Sequence, residues 1–341
     1  MNTASYRHIH NSFFVSPICL GTMNFGADAR GTNEEEAHTI LDQFVELGGN
    51  FIDTADVYNG GRSEEIVGSW IAKHPEARSK IVLASKVFFQ GGRPNPNDAG
   101  LSRSHIVNTL ETTLRRLSTD YLDIYQIHNW DSRVDVQEWI RTFADLIVAG
   151  KIRHYGVCNV TGWQLQKIVS TADAMNLPRP VRFLNQKSFF FSFFFFLPCE
   201  ELRTHTASLP RFFSLNSCSF RLTFLTQVVC QMQYNLLSRE VEWEVLHCCA
   251  ANGISFLPWS PLKGGWLTGK FQRDAAPDPD TRIGAVSAGQ QKQLQSHPGY
   301  DQFNNETTWN LLDIMQEIAA AEDCTVAQIA CRWLLGRPQV I

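Results

Sequence analysis

Short apolar runs rich in β-branched residues alternate along this chain with amphipathic stretches of helical length. The runs predict strands over 17–20, 51–52, 81–84, 122–127, 154–157, 228–232 and 254–258. The intervening stretches predict helices over 34–47, 63–73, 104–117, 136–149, 163–175 and 240–251, with a further helix over 325–335. Gly48 and Gly49 after Leu47, and Gly150 after Ala149, read as helix ends that pass at once into a strand. So long a βα alternation leaves two architectures, the closed (β/α)8 barrel and the open doubly wound sheet. The first βα turn separates them. A doubly wound dinucleotide fold asks for G-x-G-x-x-G, and Gly21-Thr22-Met23-Asn24-Phe25-Gly26 lacks the middle glycine. The expected fold is therefore α/β, a (β/α)8 TIM barrel, as a single domain over residues 1–341.

A barrel gathers its chemistry at the C-terminal ends of its strands. Three consecutive strand candidates end there in an ionisable residue: Asp53, Lys86 and His128. Tyr58 follows Asp53 by five positions, in the loop that leaves the strand. Each alone has an ordinary reading: a helix-capping Asp, a solvated Lys, a satisfied polar His. Their shared position makes them converge on one mouth.

At these residues the chain resembles the aldo-keto reductases. Gly49-Asn50-Phe51-Ile52-Asp53-Thr54-Ala55-Asp56-Val57-Tyr58, followed by Gly61-Arg62-Ser63-Glu64-Glu65, is similar to the first signature of that family. Leu114-Arg115-Arg116-Leu117 through Asp120-Tyr121-Leu122-Asp123-Ile124-Tyr125-Gln126-Ile127-His128 is similar to the second. Gly156-Val157-Cys158-Asn159, Gln231-Met232-Gln233-Tyr234-Asn235 and Trp259-Ser260-Pro261-Leu262 follow in family order. The resemblance implies a barrel that binds NADP and reduces a small-molecule carbonyl. It implies Tyr58 as general acid, Lys86 and Asp53 as its partners, and His128 as the residue that holds the carbonyl. For the cofactor it implies Asn159 and Gln231 on the carboxamide, Trp259 stacked on the nicotinamide, and Ser260, Leu262 and Lys270 in the loop around the pyrophosphate. The resemblance also implies Thr22 and Met23 as residues lining the same mouth. Cys158 stands where the family commonly has serine.

Composition narrows the picture further. The chain has 44% hydrophobic residues and a formal charge of −4, which excludes a disordered chain, and no Lys/Arg-rich stripe suggests nucleic acid. The polar start Met-Asn-Thr-Ala-Ser-Tyr-Arg-His lacks the apolar core of a secretory signal, so a cytoplasmic protein with no membrane partner is expected. Nine scattered cysteines without a C-x-x-C pair suggest neither disulfides nor zinc. The stretch from Gly264 to Lys270 fits G-x-x-x-x-G-K, but Phe271 stands where a P-loop needs Ser or Thr for its metal.

The family pattern is broken twice. Of 23 phenylalanines, 12 fall within 183–229, ahead of the sixth barrel strand, where a few linking residues would serve. Phe, Ser, Leu and Pro in aperiodic runs are what a translated pyrimidine-rich tract encodes, as in a retained intron; the alternative is a genuine insertion that meets a membrane or partner. The second departure is Arg337-Pro338-Gln339-Val340-Ile341, where the eighth strand begins and is left incomplete. The family's grip on an adenosine 2′-phosphate would follow it. Three functional readings come from this: a reductase, a cofactor-binding regulatory subunit like the potassium-channel β subunits, and an inactive product. Selectivity is expected in the loops 88–101 and 270–305.

Overall fold

The computed structural model describes residues 6–9, 13–27, 31–90, 95, 97–177, 229–273, 275–279, 283–284 and 300–341. Of the expected insertion, only Val229 falls among them. Seven strands form one sheet: β3 (Leu20–Gly21), β4 (Phe51–Asp53), β5 (Val82–Val87), β6 (Leu122–Ile127), β7 (Ile152–Cys158), β8 (Val229–Gln233) and β9 (Ser255–Trp259). Their spatial order is their sequence order, and each neighbouring pair is parallel. Right-handed crossovers that all step the same way put every helix on one face, so the other face can bury itself only by curling. Phe51, Val82, Ala84, Ile124, Val229, Leu257 and Ile341 accordingly join in one inner apolar cluster. The alternate residues Ile52, Leu83, Tyr125, Ile127 and Val157 face outward into the larger core under the helices.

The chain beyond β9 takes the next place in the curl. The Phe256 N–H donates to the Gln339 carbonyl at 3.0 Å, the Ile341 N–H donates to the Phe256 carbonyl at 3.1 Å, and Val340 bridges Phe256 in parallel. The fold is the expected barrel as a curled half-barrel of seven strands, incomplete at the eighth.

The helices are α1 (Glu34–Glu46), α2 (Arg62–Lys73), α3 (Arg103–Arg116), α4 (Val136–Val148), α5 (Gly162–Ala174), α6 (Val245–Asn252), α7 (Glu306–Ala321) and α8 (Val326–Leu335), with one short turn at Tyr300–Phe303. Asn33 and Glu36 start α1 with reciprocal capping bonds, and Asp135 caps α4 by accepting from the Gln137 N–H. Trp139 and Phe143 lie one turn apart on α4, fully buried, with Tyr155 in ring contact with both and Tyr125 with Phe143. Truncating either to Ala costs about 3–5 kcal/mol. Among the described residues no helix is long and apolar enough to cross a membrane, and no cluster of His, Cys, Asp and Glu could hold a metal ion.

Two expectations need correction, and one element is new. The first strand, expected over 17–20, is Leu20–Gly21. Pro17 has no N–H for a ladder, and Ser16 is tied to Asn50 through side chains, its N–H donating to Asn50 Oδ1 at 2.7 Å. The helix expected over 240–251 is a 3-10 turn at Glu240–Glu242 followed by α6. An N-terminal hairpin, β1 (Arg7–Ile9) and β2 (Phe13–Val15), was not foreseen. Its Ile9 and Val15 enter the inner cluster, Phe13 meets the His154 ring edge-on at 4.8 Å, and Arg7 donates to the Leu335 carbonyl at 3.1 Å. The hairpin thus plugs the end of the curl where the strands begin.

Just outside that end, Asp123 is saturated. It accepts from Arg78 Nη1 at 2.9 Å, Arg153 Nη1 at 2.9 Å and the Leu83 N–H at 3.0 Å, while both guanidinium groups lie over the Tyr121 ring.

Candidate active site

At the opposite end, the inward positions turn polar: Asp53, Lys86, Gln126, Cys158 and Gln231 stand above the apolar layer. Lys86 lies within β5, one residue before the strand ends, and is wholly buried. Its Nζ donates to Asp53 Oδ2 at 2.5 Å, to the Thr54 carbonyl at 2.8 Å and to the Tyr58 hydroxyl at 3.1 Å. Burial works against the ammonium, but the charges of Asp53 and Tyr58 outweigh it and hold its pKa above the ordinary value. The lysine stays charged. Burial pushes the Tyr58 phenol up, and the Lys86 charge pulls it part of the way back.

Tyr58 opens a 3-10 turn, Tyr58–Gly61, in which Asn59 takes φ 50° and Gly60 φ 67°. Asn tolerates that left-handed geometry, and its amide fixes the turn by donating to the Met23 and Phe25 carbonyls, both at 2.8 Å. His128 extends β6, donating its N–H to the Val87 carbonyl at 2.9 Å. Its ring is edge-on to Tyr58 at 5.8 Å and to Phe89 at 5.0 Å. Burial first, then the Lys86 charge, drives its pKa well below the ordinary value, so the imidazole is neutral near pH 7. Its Nδ1 is buried with no hydrogen-bond partner.

Gln126 is a member of this site that the sequence did not single out. Its Nε2 donates to Asp53 Oδ1 at 3.0 Å, so Asp53 is held through both oxygens. Its Oε1 faces the Cys158 thiol at 3.6 Å, and that thiol also lies 3.4 Å from Gln231 Oε1. Gly156 makes the room: a Cβ there would lie 2.6 Å from Gln126 Cγ. A glycine facing a glutamine across two strands was the available signal.

Asn159 joins this group at the rim. With φ 54°, it donates its side-chain amide to the His128 carbonyl at 2.9 Å and accepts from Trp259 Nε1 at 3.2 Å, while its backbone N–H donates to the Gln231 carbonyl at 3.1 Å. Asp53, Tyr58, Lys86, His128, Asn159, Gln231 and Trp259 are therefore one connected set. Ser260 follows Trp259 with φ 58°, and its carbonyl accepts from Asn235 Nδ2 at 3.0 Å. Of the other expected residues, Thr22 adjoins this set through Asp53, while among the described residues Met23, Leu262 and Lys270 share no hydrogen bond with it. Thr22 is buried and spends its hydroxyl on Ser63 at 2.8 Å and the Asp53 carbonyl at 3.2 Å. Met23 is 36% exposed. Leu262 packs in the apolar cluster of the last helices, and Lys270 is exposed with its ammonium over Phe271.

Comparison with known proteins bears on this arrangement. The model of the Aldo/keto reductase family matches residues 17–188 and 221–341. An uncharacterized oxidoreductase, YrpG, of Bacillus subtilis is 31% identical over 332 residues, covering 95% of this chain and 81% of that protein. A probable voltage-gated potassium channel subunit beta of Arabidopsis thaliana is 30% identical over 329 residues, 95% of this chain and 83% of its own. Versiconal hemiacetal acetate reductase of Aspergillus parasiticus is 26% identical over 343 residues, with 95% and 83% covered. With the family model matched on both sides of the phenylalanine-rich stretch, this chain belongs to the aldo/keto reductase family.

Proposed function

We propose that the chain is an NADPH-dependent reductase that converts an aldehyde or ketone to an alcohol, with Tyr58 as proton donor. One observation carries this reading: a buried, charged Lys86 sits 3.1 Å from the Tyr58 hydroxyl and is anchored on Asp53 at 2.5 Å. A phenol, with a pKa of about 10 in water, gives up a proton poorly at neutral pH unless a nearby cation stabilises the phenolate. Lys86 supplies that cation, and Asp53, held by Gln126, keeps it charged and aimed. Tyr58 gives its proton to the carbonyl oxygen as negative charge gathers there. The neutral His128 offers a second hydrogen-bond donor to the same oxygen.

The rim residues fit a nicotinamide. Asn159, Gln231 and Cys158 offer amide and thiol groups for a carboxamide, and Trp259, pinned by its bond to Asn159, offers a flat face for a flat ring. Ser260, Leu262 and Lys270 would attend the phosphates, and Thr22 and Met23 the edge of the mouth. When bound, the reduced cofactor supplies hydride to the carbonyl carbon. The choice of NADP over NAD follows the family, and a cytoplasmic location goes with a small-molecule carbonyl substrate.

The test is purified chain and Tyr58→Phe, each mixed with NADPH and a panel of aldehydes while nicotinamide absorbance is followed. Turnover by the parent that falls about 100-fold or more in the variant supports the reading. No turnover by the parent overturns the enzyme claim, and equal rates overturn the role of Tyr58. A second reading, a cofactor-binding regulatory subunit, is favoured by the similarity to the Arabidopsis channel subunit; it predicts NADPH binding without useful turnover. A third, that this product is inactive through a retained intron, is favoured by the break in the family match between residues 188 and 221. A chain lacking 183–229 that gains activity over the parent would support it.

A further inference from the structure

Another ion pair with a buried carboxylate stands on the outer side of β5, opposite the mouth residues. Glu64, on α2, is wholly buried, and Arg116 reaches it from the end of α3, Nη1 to Oε2 at 3.1 Å. The same Nη1 donates to the Asp56 carbonyl at 3.1 Å, two residues before Tyr58. The other oxygen of Glu64 accepts from the Ser85 hydroxyl at 2.7 Å, immediately before Lys86. One cation and one carboxylate therefore reach both the turn that carries Tyr58 and the strand that carries Lys86.

The chain is built around this contact. A Cβ at Gly61, the last residue of the Tyr58 turn, would fall 2.2 Å from Arg116 Cζ. A Cβ at Gly68 would fall 1.9 Å from the Arg116 carbonyl oxygen. Gly61 also needs its φ of 97°, which L side chains rarely adopt. Two glycines thus let the arginine close against the turn. Both bonds leave the one Nη1, whose two N–H groups are fixed in the guanidinium plane, an orientation that the freely rotating ammonium of a lysine does not impose.

We propose that Arg116 and Glu64 are positioning residues: from outside the sheet they clamp the Tyr58 turn to β5 and so set the separation between the Tyr58 hydroxyl and Lys86 Nζ. The inference rests on the reading of Tyr58 and Lys86 as an acid and its cation. Neither clamp residue touches Asn159, Gln231 or Trp259, so loosening the clamp acts on proton transfer and spares cofactor binding. A misplacement of about 1 Å in a reacting group can cost about 100-fold in rate.

The test uses the full chain as Arg116→Met, Arg116→Lys and Ser85→Ala. Three quantities are read: NADPH affinity by fluorescence titration, kcat with an aldehyde, and the Tyr58 phenol titration as the alkaline absorbance difference from Tyr58→Phe. Arg116→Met is expected to lower kcat at least about tenfold and to shift the phenol titration, with NADPH affinity within about threefold of the parent. Arg116→Lys recovers part of the loss, and Ser85→Ala, which removes a single hydroxyl, shows a smaller loss in kcat with the same spared affinity. An Arg116→Met chain with the parent's kcat and phenol titration overturns the clamp. So does one in which kcat and NADPH affinity fall by the same factor, the pattern of general loosening. If Arg116→Met does not fold, Ser85→Ala decides, and its identity with the parent in kcat and phenol titration overturns the proposal. If the parent binds NADPH without turnover, only the functional reading fails, and the phenol titration still decides the clamp.

Discussion

The two ends of the half-barrel each bury an aspartate against a cation, and they use it in opposite ways. Near the strand starts, Asp123 meets Arg78, Arg153 and a backbone N–H, and both guanidinium groups stack on Tyr121. Both oxygens of the aspartate and every nitrogen of Arg78 are spent inside the protein, and Arg153 reaches in from the surface. At the mouth, Asp53 meets a lysine, a compact charge with three donors, and only two of these go to fixed acceptors on Asp53 and Thr54. The third points at a half-buried phenol whose hydroxyl can still turn to something else. Saturation makes a strut; one bond left to a movable partner makes a site. The division agrees with the tendency of barrels to keep stability at one end and chemistry at the other.

Four measurements can break or sharpen that contrast. The largest effect is at Tyr58, where Phe is expected to lower kcat by about 10²–10⁴ and to leave the melting temperature almost unchanged, since only a hydroxyl at a half-open position is lost. At the other end, Asp123→Ala is expected to cost about 3–5 kcal/mol in urea unfolding, because the largely buried Arg78 loses its partner, while the folded fraction keeps the parent's kcat. Should Asp123→Ala depress kcat at unchanged fold, the two ends are not independent. Lys86→Met is expected to lower kcat by about 10² and to destabilise by about 3 kcal/mol, leaving Asp53 buried with Gln126 alone; adding Asp53→Asn should restore part of the stability and none of the activity. Last, the kcat profile for carbonyl reduction should run level from about pH 6 to 8, because His128 has its pKa pushed well below the ordinary imidazole range and Lys86 has its own raised. Both groups then keep one protonation state throughout. An inflection near pH 6.5 that vanishes in His128→Gln would show that the imidazole titrates in the working range.

Lys86 carries a matching consequence for stability. Its folded pKa lies above the ordinary value, so its contribution is full below the unfolded pKa and is lost only as pH rises through the folded one. Alkaline conditions, not mild acid, are where the mouth pair should weaken.

Three strand ends were legible because their apolar runs stop at or just before an ionisable residue, and Asp53, Lys86 and His128 do converge. Their packing partners were less so. Gln126 sits inside the apolar run Leu122–Ile127, and its importance appears only when Gly156 of the next strand is seen to make way for it. The Arg116–Glu64 pair was hidden for a similar reason: its residues lie on two helices 52 positions apart, and a charged helical residue reads as solvated until the sheet is known to lie against it. The hairpin at Arg7–Ile9 and Phe13–Val15 escaped because three-residue strands are too short to establish a period. The cofactor-side set of Asn159, Gln231 and Trp259 came from the order of family motifs, since nothing in their spacing brings three separate strand ends together.

That hairpin has a kinetic consequence. Ile9, Val15 and Phe13 pack against the inner apolar cluster at the end where the strands begin, so among the described residues that end offers no polar site. Asn159, Trp259 and Tyr58 all lie at the opposite end from that hairpin. If cofactor and substrate of the proposed reaction both approach from the opposite end, ordered binding with slow release of the inner partner is expected, and product-inhibition kinetics would check it.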